Sequence, residues 1–162
     1  MSIIVNLVLI AILIICIALY IIYAKNKVDI ISFKESIDLA NLPIITFYID
    51  KNKYNFLLDT GASISLINKK IIKDLPHTSN GASSVLFGME GNPVTVECVN
   101  ITLYYKDNMY IDTFQVVDLE AAFTNVKNNY GVTLHGVVGS LFFQKYKYIL
   151  DFNKLIAYSK YK

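Results

Sequence analysis

FLLDTGAS, residues 56 to 63, is the stretch on which the reading of this chain turns. An apolar run, Phe56-Leu57-Leu58, leads straight into the acidic Asp59, and Thr60 and Gly61 then break it. A run of this kind reads as a strand, so the Asp59 carboxylate is expected at the end of a rigid element. Gly61 permits a tight turn and a close backbone approach. The triplet on its own would equally serve as a turn capping a strand, because Asp and Gly are ordinary turn formers. Its surroundings decide between the two.

Working outward, LPIITFYID (42–50) and YNFLLD (54–59) flank a polar KNK, the pattern of a hairpin. LINKKIIKDL (66–75) carries apolar residues at helical spacing and stops at Pro76, which predicts a short helix or turn. SSVLFG and PVTVECVNITLYY (93–105) are rich in β-formers, with GMEGNP as the turn between them, and MYIDTFQVVDL (109–119) is a further strand. Residues 120 to 133 read as a longer loop with room for a helical turn. LHGVVG is a short apolar run, SLFFQKY (140–146) a short helix, and YILDF and LIAYS around NK (148–159) a closing hairpin. With IISF (30–33) as a first short strand, the expected class is all-β: a barrel or closed sheet with one or two short helices.

The chain has 162 residues, enough for one domain, and 54% of them are hydrophobic. That excess is concentrated between Ile3 and Tyr23, where no charge occurs and Asn6 is the strongly polar exception. About twenty residues at ~1.5 Å rise each span a hydrocarbon core of ~30 Å. No Lys precedes the run and no small-x-small site appears before Lys25, so a membrane anchor is favoured over a cleaved signal. The expected organisation is a transmembrane helix over 3–23, a juxtamembrane linker and first strand over 24–40, and a folded domain over 41–160. Lys25 and Lys27 follow the span, which favours a single-pass protein with its domain on the cytoplasmic side. Tyr20 and Tyr23 stand where an interfacial aromatic belt would put them.

The net charge of +2, without a basic cluster, gives no footprint for nucleic acid. All fifteen basic residues are Lys, so a bidentate guanidinium clamp is not available. Cys16 lies in the span and Cys98 outside it, so the two cannot usefully pair, and neither lies near His77 or His135 in metal-ligand spacing. No metal and no cofactor are expected.

Three segments, in order, give the chain a resemblance to the retropepsin-like aspartic proteases, the half-size relatives of pepsin: LLDTGAS, the flap-like FGMEGNPV (87–94), and HGVVGSLFF (135–143). YILDFNKLIAYS resembles the family's closing hairpin, so the likeness extends over residues 30 to 160. It implies a retropepsin-like fold with Asp59 as catalytic carboxylate. Thr60, Gly61 and Ala62 would support it, and Val137, Val138 and Gly139 would pack behind the catalytic loop. Gly88, Met89 and Gly91 would form a flap tip over an extended peptide. Asp151 lacks a following Thr-Gly and is placed in the closing hairpin rather than in the site. Ala62 stands where pepsin-like enzymes carry Ser or Thr, which in the family goes with a less acidic working pH.

Such enzymes hold two carboxylates ~3 Å apart that share one proton, since like charges that close do not both ionise. A chain with a single Asp-Thr-Gly is therefore expected to work as a membrane-anchored homodimer on a peptide or protein substrate. Two alternatives stand beside this: a retropepsin-like module that binds peptides without cutting, and a membrane-tethered β scaffold in which the triplet is incidental. The segment 119–133 would cover the groove, lengthen the substrate site, or be a surface insertion.

Overall fold

The computed structural model describes residues 2–25, 28–87 and 93–159. The first element, α1 (Ser2–Lys25), contains an 18-residue window, Val5–Ile22, with mean hydropathy 3.1 and none of its side chains buried. It is long and apolar enough to cross a membrane. No domain packing accounts for that composition, because the window Val5–Ile22 buries nothing.

The rest is mostly β. Strands β1 (Asp29–Ser32), β2 (Ile44–Ile49), β3 (Asn52–Leu58) and β4 (Ser65–Asn68) precede the long β5 (Thr78–Phe87), β6 (Pro93–Tyr105) and β7 (Asn108–Val117). β8 (Gly136–Val138), β9 (Ile149–Asp151) and β10 (Ile156–Ser159) complete the set. The helices are α2 (Lys34–Ala40), α3 (Glu120–Tyr130) and α4 (Ser140–Lys145). A seven-stranded sheet runs β2-β3-β8-β4-β7-β6-β5 and curls until β2 meets β6 at Tyr48 and Tyr104. A smaller sheet, β1-β10-β9, closes the domain.

The β2–β3 hairpin turns on Asp50 and Lys51, at φ 45° and 71°. A two-residue loop with both central residues left-handed matches the twist of the flanking strands. Between the sheets, Phe47 meets Phe56, Tyr110 and Phe142 edge-on at 5.8–5.9 Å between ring centroids. Each fully buried aromatic of this kind contributes roughly 1.5–3 kcal/mol of burial. This core, with Ile31, Ile45, Leu58 and Val138, fixes the end of β3 from behind.

Two expectations are corrected. Residues 66–75, expected as a short helix or turn, begin instead as strand: β4 occupies Ser65–Asn68, and the turn expected there is confined to residues 69–74, ending in a short 3-10 segment at Ile72–Asp74. The helical spacing is overridden because Leu66 and Ile67 pair with β8 on one side and β7 on the other. Residues 120–130, expected as a loop with room for a helical turn, form the eleven-residue helix α3, so the folded domain has more helix than anticipated. Phe123 of α3 packs in a second small core with Ile44, Leu134 and Val137, against which Ala62 leans.

Candidate active site

β3 ends at Leu58, and the next residue, half-buried Asp59, begins a loop that returns to the sheet as β4. β8 threads between these two strands, parallel to β3 (Leu58 opposite Val138) and antiparallel to β4 (Leu66 opposite Val137). The loop is thus clamped at both ends by one three-residue strand. Gly136 is required there, since a Cβ would lie 2.5 Å from the Leu66 carbonyl oxygen and 2.7 Å from the Phe56 ring.

The backbone binds the loop to this strand and to the helix after it. Asp59 N donates to Val138 O at 3.1 Å, Ser140 N to Ala62 O at 2.8 Å, and Leu141 N to Ser63 O at 3.0 Å. The last two donors belong to the first turn of α4, whose N–H groups have no partner within their own helix. The loop supplies those partners. Within the loop, Gly61 N donates to Asp59 Oδ1 at 2.8 Å and Ala62 N to Asp59 O at 3.3 Å. One oxygen of the carboxylate is therefore held by the backbone of its own loop.

The structure brings Asp59, Gly61, Ala62, Val137, Val138 and Gly139 together around this loop. Val137, Val138 and Gly139 are buried, whereas Thr60 and Gly61 are exposed. Gly88, Met89 and Gly91 lie outside the described residues. The arms that lead to them, β5 and β6, form one antiparallel hairpin up to Phe87 opposite Pro93. Asp151 is used by its turn: its Oδ1 accepts from Asn153 N at 3.1 Å and Lys154 N at 3.0 Å.

Two residues of this assembly were missed from sequence. Ser65 Oγ donates to Asp112 Oδ2 at 2.6 Å and accepts from Gly139 N at 3.1 Å, joining β7 to the segment behind the loop. Asp112 is 7% exposed. Burial pushes its carboxyl up from the ordinary 3.8, opposed by the Ser65 hydroxyl, the Thr113 backbone N–H and the charge of Lys145. An acid with a raised folded-state pKa binds more protons folded than unfolded. Its stability contribution is full below about 3.8 and is lost as pH rises through the raised value. In Asp112→Asn the amide oxygen still accepts from Ser65 and no charge is buried. Its melting temperature is expected to fall less than that of the wild type from about pH 4 to pH 8. Parallel melting profiles would remove Asp112 from the pH dependence.

A cleft of about 520 Å³ beside the loop is lined by Ile64, Ser65, Asp112, Thr113, Leu141, Gln144 and Lys145. Asp59 does not line this cleft.

No protein-family model and no curated protein matches the sequence. Among solved structures, the chain is similar in fold to a retropepsin-like aspartic protease from Rickettsia conorii. That match has 14% identity and a TM-score of 0.46, and covers 82% of this chain and 90% of the other. It is also similar to the EIAV protease complexed with the inhibitor HBY-793, at 18% identity and a TM-score of 0.45, covering 64% of this chain and 86% of that one.

Proposed function

We propose that this chain is a membrane-anchored aspartic endopeptidase of the retropepsin type, with a dyad formed by Asp59 from each of two copies. The observation that carries the reading is the Asp59 loop: a carboxylate at a strand end, oriented by Gly61 N–H and braced by β8 and α4. A turn that only capped a strand would need no such bracing. One carboxylate leaves half of a proton-sharing pair, and a two-fold axis near Asp59 supplies the other half. The exposed Thr60 hydroxyls would then brace the base of the paired site.

In the dyad, the ionised carboxylate takes a proton from water as its oxygen attacks the scissile carbonyl carbon, and the protonated carboxyl donates to the carbonyl oxygen. Collapse of the tetrahedral adduct breaks the C–N bond, with a proton delivered to the leaving nitrogen. The β5–β6 arms would bring their tip over an extended peptide held by main-chain hydrogen bonds. Anchoring by α1 confines both copies to a plane, which raises their effective concentration and keeps the site near the bilayer. Membrane proteins and membrane-proximal segments are the substrates that this arrangement favours.

The test is cleavage of a peptide library by detergent-solubilised full-length protein across about pH 4 to 8, with Asp59→Asn alongside. Cleavage by the wild type alone is the expected result, with activity reaching mild acidity or neutrality. Absence of cleavage at every pH would leave a peptide-binding module as the better reading.

A further inference from the structure

The outer face of the small sheet is apolar where the chain emerges from α1. Ile30 (39% exposed) on β1, half-buried Tyr158 on β10 and Ile149 (48%) on β9 stand opposite one another in a single cross-strand row. The opposite face of the same strands is spent on the core, through Ile31 and Ala157.

Three residues, 26–28, separate Lys25 of α1 from Asp29 of β1. Four Cα steps reach at most about 14 Å, so β1 cannot begin far from the end of α1. Nor is β1 a slack tether. Asn108 Nδ2 donates to Asp29 Oδ1 at 2.7 Å, Tyr110 OH donates to Asp29 Oδ2 at 2.7 Å, and Tyr148 OH donates to the same oxygen. Burial raises both phenols well above their ordinary range, so both remain protonated donors. The chain is thus fastened to the domain body at Asp29, four residues after Lys25, so the three-stranded sheet is held close to the end of α1.

From these observations we infer that the outer face of the β1-β10-β9 sheet rests on the bilayer interface, with Ile30, Ile149 and Tyr158 against the lipid. The inference rests on α1 being a membrane anchor. Lys106, whose Nζ lies 3.5 Å from Ile30 O, and Lys154 flank the face with cations suited to headgroup phosphates. Asp151, which alternates onto this face with Ile149, is paired with Lys154 at 3.3 Å. Tyr105 OH accepts from Ser32 N, which ties the far end of β6 to this sheet. Val94 lies eleven residues away along β6, roughly 35 Å at the ~3.3 Å strand rise. The hairpin of β5 and β6 would thus reach away from the membrane, with its mouth open to segments standing above the bilayer.

The chain contains no Trp, so one introduced indole reports alone. Full-length Ile149→Trp and Val94→Trp, both at exposed positions, would be reconstituted into phosphatidylcholine vesicles with or without brominated acyl chains. Ile149→Trp is expected to lose most of its emission to brominated lipid, and Val94→Trp to keep its own. Equal emission of Ile149→Trp in both lipids, with protein and vesicles floating together, overturns the placement of the sheet and leaves the anchor standing. A blue-shifted but unquenched Ile149→Trp that depends on protein density would mean that a second copy covers the face, and likewise overturns it. Failure to float with the vesicles removes the anchor, and the placement with it.

Discussion

Replacing Asp59 by Asn is expected to reduce peptide cleavage by roughly 10²–10⁴-fold, the scale set by losing a positioned acid–base group. The fold should survive. Asn keeps a side-chain oxygen where Asp59 Oδ1 accepts from Gly61 N, and the backbone bonds from Asp59 N to Val138 O and from Ala62 N to Asp59 O do not involve the side chain. The melting temperature should accordingly stay close to that of the wild type. Mixing separates a shared dyad from a single-chain site. If wild type is co-expressed with a tenfold excess of Asp59→Asn, random pairing leaves about a tenth of wild-type chains with a wild-type partner. Specific activity per wild-type chain should drop in proportion. Activity that ignores the excess would mean that each Asp59 works without a mate, and the paired site would be discarded.

How much of this was legible in the sequence depends on which force dominates each segment. The hairpins of β2–β3 and β9–β10 were legible because each is a pair of apolar, β-forming runs around a short polar break, KNK in the first and NK in the second. So was α4, whose Phe142 and Phe143 are both buried in the main core. β4 was not legible. Leu66, Ile67, Ile71, Ile72 and Leu75 have helical spacing, yet insertion between β7 and β8 gives the backbone of residues 65–68 partners on both sides. Long-range pairing of that kind leaves no local trace. α3 was hidden differently: among its residues only Phe123 is buried, too few contacts to display a period.

Within the site, Asp59 and its support were legible as a motif, whereas Ser65 and Asp112 were not. A signal for Asp112 existed. On β7, Tyr110, Asp112 and Phe114 are all buried at alternate positions, so a carboxylate occupies a core-facing place that calls for a partner. That the partner would be Ser65, 47 residues earlier, could not be read without the β4–β7 pairing. The flap glycines had turn chemistry as their only signal, and Gly88, Met89 and Gly91 lie outside the described residues.

Gly139→Val is expected to cost about 3 kcal/mol of stability, and to lower cleavage even at temperatures where the variant remains folded. The backbone at Gly139 has φ −85° and ψ 173°, open to any residue, so conformational freedom is not what the position demands. Space is. A Cβ there would lie 2.7 Å from Ile64 C, 2.8 Å from Ile64 O and 2.9 Å from Ala62 O. All three are backbone atoms that cannot rotate aside. Relief requires the loop to move away from β8, which stretches Ser140 N to Ala62 O and carries Asp59 off its mark. The useful contrast is Gly131→Ala at the C-terminus of α3. There φ is +71° and nothing lies within 4 Å of the added Cβ. Only the left-handed strain of roughly 1–2 kcal/mol should appear, with cleavage by the folded fraction unchanged. Thermal melts paired with cleavage assays at low temperature measure both quantities for both variants. A Gly139→Val chain that melts and cuts like the wild type would show that close packing of β8 against the loop does not hold Asp59 in place.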